Sequence, residues 1–176
     1  LGTSSTLLAA LAQWQKVDPY RLLWDSFGGS AYDIACAIAD GPILYQLDNG
    51  TPHATPTPFH PPFAQQLYLV YSGKKQNSRE GIKHYREKFT STSPAPLIRQ
   101  IDALTQAILK STQLKEFEQL IAEHEALIGD ALNIVPVQLK DFSDYWGQIK
   151  SLGAWGGDFI LVTSDRSPQA TVNYFA

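Results

Sequence analysis

The sequence of 176 residues contains no methionine and a single cysteine, Cys36. One cysteine cannot form a disulfide within the chain, so the reducing cytoplasm is the expected location. Basic residues number 14 against 17 acidic ones, and they are scattered along the chain. Nucleic acids and anionic membranes bind clustered positive charge, so neither is an expected partner. No apolar run is long enough to cross a bilayer.

The composition indicates a globular protein with a core. Hydrophobic residues make up 44% of the chain and charged residues 18%, which excludes an intrinsically disordered chain. The length suits one domain or part of a larger protein. Because the chain begins at Leu1 inside a motif, we expect that residues precede it in the natural protein.

Apolar spacing and turn residues predict an α+β fold. Helices are predicted over residues 7–14, 18–27, 31–39, 95–110 and 113–132, with a further helix starting at Asn77. The last two of the five are expected to form an antiparallel pair that covers one face of a sheet. Strands are predicted at residues 42–47, 67–72, 147–153 and 157–164, the second of them buried.

The first motif is "LGTSST" at residues 1–6, a glycine and hydroxyl residues at the start of a helix. Free N–H groups and the positive end of the helix dipole suit a phosphate group. Simple capping of the helix by the same hydroxyls is the alternative. No "GK[ST]" follows, so the motif is not a Walker A loop.

The second motif is "FGGSAYDIACA" at residues 27–37. Asp33 follows two glycines and stands on or beside a short apolar helix. A carboxylate at a glycine-lined pocket is a natural general base. Equally, Ser30 and Asp33 have the spacing of an N-cap and the third helical residue, so Asp33 could cap the helix instead.

The third motif is "SLGAWGGDF" at residues 151–159, between two predicted strands. Its glycines allow close approach of a ligand, or form a tight hairpin. Trp155 is predicted either as a stacking surface or as a core side chain. Asp158 could accept a hydrogen bond from a ligand or from its own turn.

The fourth motif is "SGKKQNSREG" at residues 72–81, where Lys74, Lys75 and Arg79 follow a strand. Such a cluster could bind a phosphate or carboxylate group, or it could be merely solvated. Among the histidines, His124 is predicted to be structural, and His53 and His60 lack metal-site spacing. Neither a zinc site nor a Ser-His-Asp arrangement is indicated.

The first three motifs stand in the order found in the GHMP kinases, the family of galactokinase, homoserine kinase, mevalonate kinase and phosphomevalonate kinase. Residues 1–6 resemble the family's "GLGSSA" phosphate loop, residues 29–35 its "GSGxDxA" element, and residues 153–158 its "GAGGGG" loop. The likeness covers essentially the whole chain and is greatest to a bacterial branch similar to mevalonate or phosphomevalonate kinases. Trp155 and Asp158 replace glycines of the third loop, so the resemblance leaves substrate shape open.

The resemblance implies a fold in two parts. Residues 1–41 would hold the phosphate-loop helix and the catalytic Asp segment, a remnant of the family's N-terminal domain. Residues 42–176 would form its C-terminal ferredoxin-like domain. The rest of the N-terminal part, which resembles a ribosomal protein and supplies much of the adenine pocket, is expected to lie outside this chain.

The resemblance further implies an ATP-dependent kinase that uses Mg²⁺ and phosphorylates a hydroxyl or phosphate group of a small metabolite, with mevalonate or phosphomevalonate favoured. Asp33 would orient or deprotonate the acceptor hydroxyl. ATP phosphates would bind Gly2, Thr3, Ser4 and Ser5, and Mg²⁺ would bind Ser4 or Asp25. Substrate would contact Lys74, Lys75, Ser78, Gly153, Ala154, Trp155, Gly156, Gly157 and Asp158.

Two alternatives remain open: a sugar kinase of the same family, and a kinase-like ligand sensor without catalysis. The expected partners are ATP and a small-molecule substrate, and a homodimeric assembly is left open. The predicted location is the cytoplasm, with no membrane or nucleic-acid partner.

Overall fold

A computed structural model describes residues 3–73, 83, 85–90, 93–153, 155 and 159–176. The fold is mixed α+β, with two small antiparallel sheets. The chain divides into two compact units, Leu1–His60 and Pro61–Ala176. The predicted division after residue 41 would assign residues 42–60 to the second part, whereas in the structure they belong to the first compact unit.

The first unit contains three helices and a hairpin. Its elements are α1 (Thr3–Gln15), α2 (Pro19–Ser26), α3 (Tyr32–Ile38), β1 (Ile43–Asp48) and β2 (Thr51–Pro56). The helices enclose a small core, in which Leu8, Leu23, Ala31 and Ile34 are buried. These positions confirm the three N-terminal helices that the sequence predicts.

Local signals set the ends of these elements. Asp18 is the N-cap of α2 and its carboxylate accepts a hydrogen bond from the Tyr20 N–H at 2.9 Å. Pro19 occupies the first helical position, where a missing N–H costs nothing. The β1–β2 turn contains Asn49 and Gly50 at φ 47° and 81°, the left-handed pair that a two-residue hairpin loop requires.

The second unit places a three-stranded sheet beside helices. Its described elements are β3 (Leu67–Tyr71), α4 (Ala95–Lys110), α5 (Leu114–Leu132), α6 (Val137–Asp141), β4 (Ile149–Ser151), β5 (Phe159–Thr163) and α7 (Pro168–Phe175). A single 3-10 turn, Ala64–Gln66, precedes β3, and residues 85–88 are helical. The strand order is β3–β5–β4, and β5 runs antiparallel to both neighbours.

The core of this unit lies between the sheet and its helices. Ile149, Ile160 and Val162 have no exposed surface, and Tyr145 packs against them. Helices α4 and α5 contact each other, and α5 also contacts β4. The predicted pair of contacting helices is thereby confirmed, and α5 is the member of the pair that lies against the sheet, at β4.

Two expectations about the second unit differ from the structure. The β3 strand was predicted to be buried, but it is an edge strand, and Leu69 and Tyr71 are 58% and 60% exposed. Helices α6 and α7 were not predicted. The predicted helix start at Asn77 lies outside the described residues.

Candidate functional site

The second unit contains a cavity of about 550 Å³, a size typical of small-molecule sites. The cavity is bounded by the C-terminal half of α5, by α6, and by residues at the ends of the three strands. Most of its wall is apolar, with Ile128, Ile134, Val135, Pro136, Val137, Phe142 and Ile160. The polar lining residues are Ser72, Glu125, Lys140, Asp141 and Ser151.

A tight reversal after α5 shapes one wall. Asn133 ends the helix in the left-handed conformation, at φ 54°, and Pro136 then precedes α6. The Ile134 N–H donates to the Gly129 carbonyl at 2.9 Å. A Cβ on Gly129 would lie 2.9 Å from the Ile134 carbonyl oxygen, so glycine is required for this close approach.

Strand pairing brings the third and fourth motifs to one end of the sheet. Tyr71, the last residue of β3, pairs with Phe159, the first residue of β5. Ser72 follows that pair on one side, and Trp155 precedes it on the other. Both side chains line the cavity. Ser151, at the end of β4 and the start of the glycine motif, lines it as well.

A buried polar network lies at the cavity. Glu125 Oε1 accepts from Lys150 Nζ at 3.2 Å, and Oε2 accepts from Ser151 Oγ at 2.7 Å. The side chains of Glu125 and Lys150 are 7% and 17% exposed. A buried carboxylate with both oxygens satisfied in this way is held in one orientation.

His124 completes the surroundings of Lys150. Burial, followed by the Lys150 ammonium, lowers the pKa of His124 to about 4. The imidazole is therefore neutral at pH 7, and its Nδ1 atom, 3.2 Å from Lys150 Nζ, accepts the hydrogen bond because an ammonium group can only donate. This agrees with the predicted structural role of His124.

Trp155 is both a cavity residue and a stacked aromatic. It is half-buried, its φ is 53°, and its ring stacks on Tyr85 with a centroid distance of 6.1 Å and an interplanar angle of 27°. A left-handed backbone is unusual for a bulky residue and is common at binding sites. Trp155 is thus neither a fully exposed stacking surface nor a fully buried core side chain, because it is half-buried and its ring packs against Tyr85.

In the first unit, the described members of the predicted phosphate loop, Thr3, Ser4 and Ser5, stand in the first turn of α1. Thr3 begins the helix, Ser4 is exposed and Ser5 is buried. The N–H groups of a first turn lack intrahelical partners. Asp25, the predicted Mg²⁺ ligand, lies on the surface of α2 and forms an exposed ion pair with Arg21 at 3.8 Å.

Asp33 lies in the first turn of α3, half-buried. The Ile34 N–H donates to its Oδ1 at 3.0 Å. Ala31, at φ 65°, is the N-cap residue, so the alternative in which Ser30 caps the helix is wrong. Cys36 follows Asp33 by three positions on the same helix. Partial burial and then the Asp33 carboxylate raise the pKa of its thiol, which keeps the thiol protonated at neutral pH.

Several predicted site residues lie outside the described residues. They are Gly2, Lys74, Lys75, Ser78, Ala154, Gly156, Gly157 and Asp158. Gly153 is described, exposed, and has φ 64°, a conformation that glycine adopts without strain. Within the described ranges, no group of three or more His, Cys, Asp or Glu side chains could hold a metal ion. Likewise, none of the described helices is long and apolar enough to span a membrane.

The sequence did not predict Glu125, Lys150, Lys140 or Ser151 as site residues. One signal was available: Glu125 continues the apolar stripe of α5, four residues after Ile121 and three before Ile128. A charged residue at a core position requires a partner. Comparison with known proteins adds no further assignment, since no family model, curated protein or solved structure matches the chain.

Proposed function

We propose that the protein is an ATP-dependent phosphotransferase of the GHMP kinase type, acting on a small hydroxylated metabolite in the cytoplasm. Mevalonate or phosphomevalonate is the favoured acceptor, from the resemblance of "GSAYDIA" to that branch of the family. The reaction transfers the γ-phosphate of ATP to an acceptor oxygen and releases ADP and the acceptor's proton.

The observation that carries the proposal is the convergence of two motifs on one cavity. The basic motif and the glycine motif were both assigned to substrate binding, although 79 positions separate their first residues, 72 and 151. Ser72, Ser151 and Trp155 line the same 550 Å³ cavity. The pairing of β3 with β5 places the two motifs side by side, and the cavity between them combines polar and apolar walls, as small-molecule sites do.

The sheet of the second unit supports the finer fold assignment. In a ferredoxin-like βαββαβ unit, the third strand lies between the first two and runs antiparallel to both. Strands β3, β4 and β5 have this order and these directions, and helices α4 and α5 connect the first to the second. We therefore assign Pro61–Ala176 to the ferredoxin-like half of a GHMP kinase.

Each unit contributes its own groups to the proposed reaction. In the first unit, the N-terminal turn of α1, with Ser4 and Ser5, would bind ATP phosphates, and a serine hydroxyl suits Mg²⁺. Asp33 would orient or deprotonate the acceptor hydroxyl. In the second unit, the cavity would bind a small molecule. Bound Mg²⁺ neutralises charge on the transferred phosphate.

The test is ADP release by the complete gene product with Mg²⁺ and ATP, using a panel of acceptors. The panel contains mevalonate, phosphomevalonate, homoserine and galactose. Turnover with mevalonate or phosphomevalonate supports the proposal in full. Turnover with galactose would instead support the alternative of a sugar kinase. If ATP binds and no acceptor is phosphorylated, the non-catalytic sensor becomes the better assignment. If ATP does not bind, the kinase proposal is wrong.

A further inference from the structure

The Ser151 hydroxyl at the cavity has its proton committed to a buried partner. Its Oγ lies 2.7 Å from Glu125 Oε2. Since a carboxylate oxygen can only accept, the serine donates. The second carboxylate oxygen accepts from Lys150 Nζ, which fixes the carboxylate in place. With its proton given to Glu125, the Ser151 Oγ atom can serve a molecule in the cavity only as a hydrogen-bond acceptor.

The described part of the wall around this acceptor has more apolar than polar surface. Ile128, Val137, Phe142 and Ile160 contribute aliphatic or aromatic surface. The charged lining residues Lys140 and Asp141 are themselves exposed to solvent. A ligand with hydroxyl groups on every side would leave several of them unpaired against the apolar wall, which costs binding free energy. An aliphatic ligand with one hydroxyl group suits the site better, because the hydroxyl can donate to Ser151 while the hydrocarbon part contacts the apolar wall.

We infer that this cavity binds an aliphatic alcohol whose hydroxyl donates to Ser151 Oγ, and that the Glu125–Lys150 ion pair holds Ser151 in the accepting orientation. Ser151 is then the residue that determines specificity, and Glu125 is a positioning residue. The inference rests on the proposed function for its role in substrate choice, whereas the binding itself needs neither ATP nor catalysis.

The test uses two small probes of nearly equal shape. In 3-hydroxy-3-methylbutanoate a hydroxyl stands where 3,3-dimethylbutanoate has a methyl group. Each is titrated into the whole chain without ATP, and the amide NMR shifts of cavity residues report binding. We expect the hydroxyl probe to bind about 3- to 10-fold more tightly. Equal affinities would overturn the inference, as would a lack of shifts at cavity residues with both probes.

Substitution of the acceptor provides the second step. Ser151→Ala should abolish the preference, leaving the two dissociation constants within about a factor of two. Ser143→Ala removes an exposed serine outside the cavity lining and should retain it. If Ser151→Ala does not fold, Ser151→Cys replaces the oxygen by a weak sulfur acceptor and should reduce the preference. A preference that survives these changes contradicts the role of Ser151.

The positioning role of Glu125 has a readout that a purely structural role would not change. In Glu125→Gln the single amide oxygen faces Lys150, so the amide NH₂ faces Ser151 and the serine proton turns to the cavity. A ketone, which can only accept, should then gain affinity relative to wild type. We expect 4-oxopentanoate to bind the variant about 3- to 10-fold more tightly than the native chain. Weaker or unchanged ketone binding in a folded variant would overturn the positioning role.

The two proposals can fail separately. If the probes behave as expected and no acceptor is phosphorylated, the cavity binds alcohols and the kinase assignment fails. If mevalonate is phosphorylated and both probes bind equally, the kinase assignment remains and the selection by Ser151 is wrong.

Discussion

Lys150 Nζ lies 3.2 Å from Glu125 Oε1, in an ion pair that is largely removed from solvent. The ammonium group also contacts His124 Nδ1 and the Ser151 carbonyl oxygen. Three acceptors thus surround one buried cation. Such a pair gives little net stability compared with an apolar replacement, but removal of one partner leaves an uncompensated buried charge.

Lys150→Met should therefore destabilise the second unit by about 3 kcal/mol, the lower end of the cost of breaking a buried pair. Because the chain has two compact units, the measurement follows urea unfolding through the amide NMR signals of β5, which report this unit. The double variant Glu125→Met/Lys150→Met should recover most of the loss. Arg21→Met breaks an exposed pair on α2 and should cost under about 1 kcal/mol in the first unit. A Lys150→Met variant as stable as wild type would contradict the argument.

His124 should make the second unit less stable in acid. Its pKa in the folded chain is about 4, below the ordinary value of 6.5, because of burial and then the Lys150 charge. Between these values the unfolded state binds more protons, so stability falls as the pH falls from 6.5 towards 4. The stability that the neutral His124 contributes is fully present above pH 6.5. Because the ring is partly exposed, we expect His124 to change the free energy of unfolding of the second unit by only about 1–2 kcal/mol across this pH range.

The measurement for His124 is the pH dependence of β5 unfolding between pH 4 and 7, together with an NMR titration of the imidazole. His124→Gln should flatten the dependence in this window. His53→Gln, which removes an exposed histidine of the β1–β2 hairpin, is the matched control and should retain it. An NMR pKa of 6 or higher for His124 would show that the ring is not held neutral by its surroundings.

Gly147 should not tolerate a side chain. A Cβ at this position would lie 2.1 Å from the Thr163 carbonyl oxygen and 3.0 Å from Tyr145. The obstacle is backbone of β5, which cannot move without disturbing the sheet, so Gly147→Ala should cost about 3 kcal/mol or more. Gly41→Ala is the control, since nothing lies within 4 Å of its Cβ position. Equal urea midpoints for the two variants would be incompatible with this packing.

Elements set by local chemistry could be predicted from the sequence. The cap at Asp18 and the turn at Asn49 and Gly50 depend on residues within a few positions of each other. Helices α4 and α5 follow from the spacing of apolar residues. Helix α7 has such a signal as well, because Ser167 is its N-cap and Pro168 its first residue.

Features set by distant residues could not be predicted in the same way. Strand β3 has the composition of a buried strand, and its place at the sheet edge depends on which strands pair with it. The hydrogen bond of Ser151 to Glu125 joins residues 26 positions apart, and no periodicity encodes it. Only the charge of Glu125 within an apolar stripe pointed to this contact. The motifs identified two of the stretches at the cavity, and the fold supplied the rest of its wall.

Asp33 provides the decisive prediction for catalysis. If it orients or deprotonates the acceptor hydroxyl, Asp33→Asn should reduce turnover by roughly 10²- to 10⁴-fold, because the amide keeps the shape but cannot take a proton. The amide oxygen can still accept from the Ile34 N–H, as the Oδ1 atom does at 3.0 Å, so helix α3 should remain folded. Asp40→Asn, at an exposed position just after α3, is the matched control and should retain wild-type turnover. The measurement is ADP release with the acceptor that the panel identifies, together with ATP binding by calorimetry. If the variant loses turnover but binds ATP as tightly as wild type, Asp33 acts in the chemical step. If the turnover rate is unchanged, Asp33 is only a carboxylate at the start of helix α3.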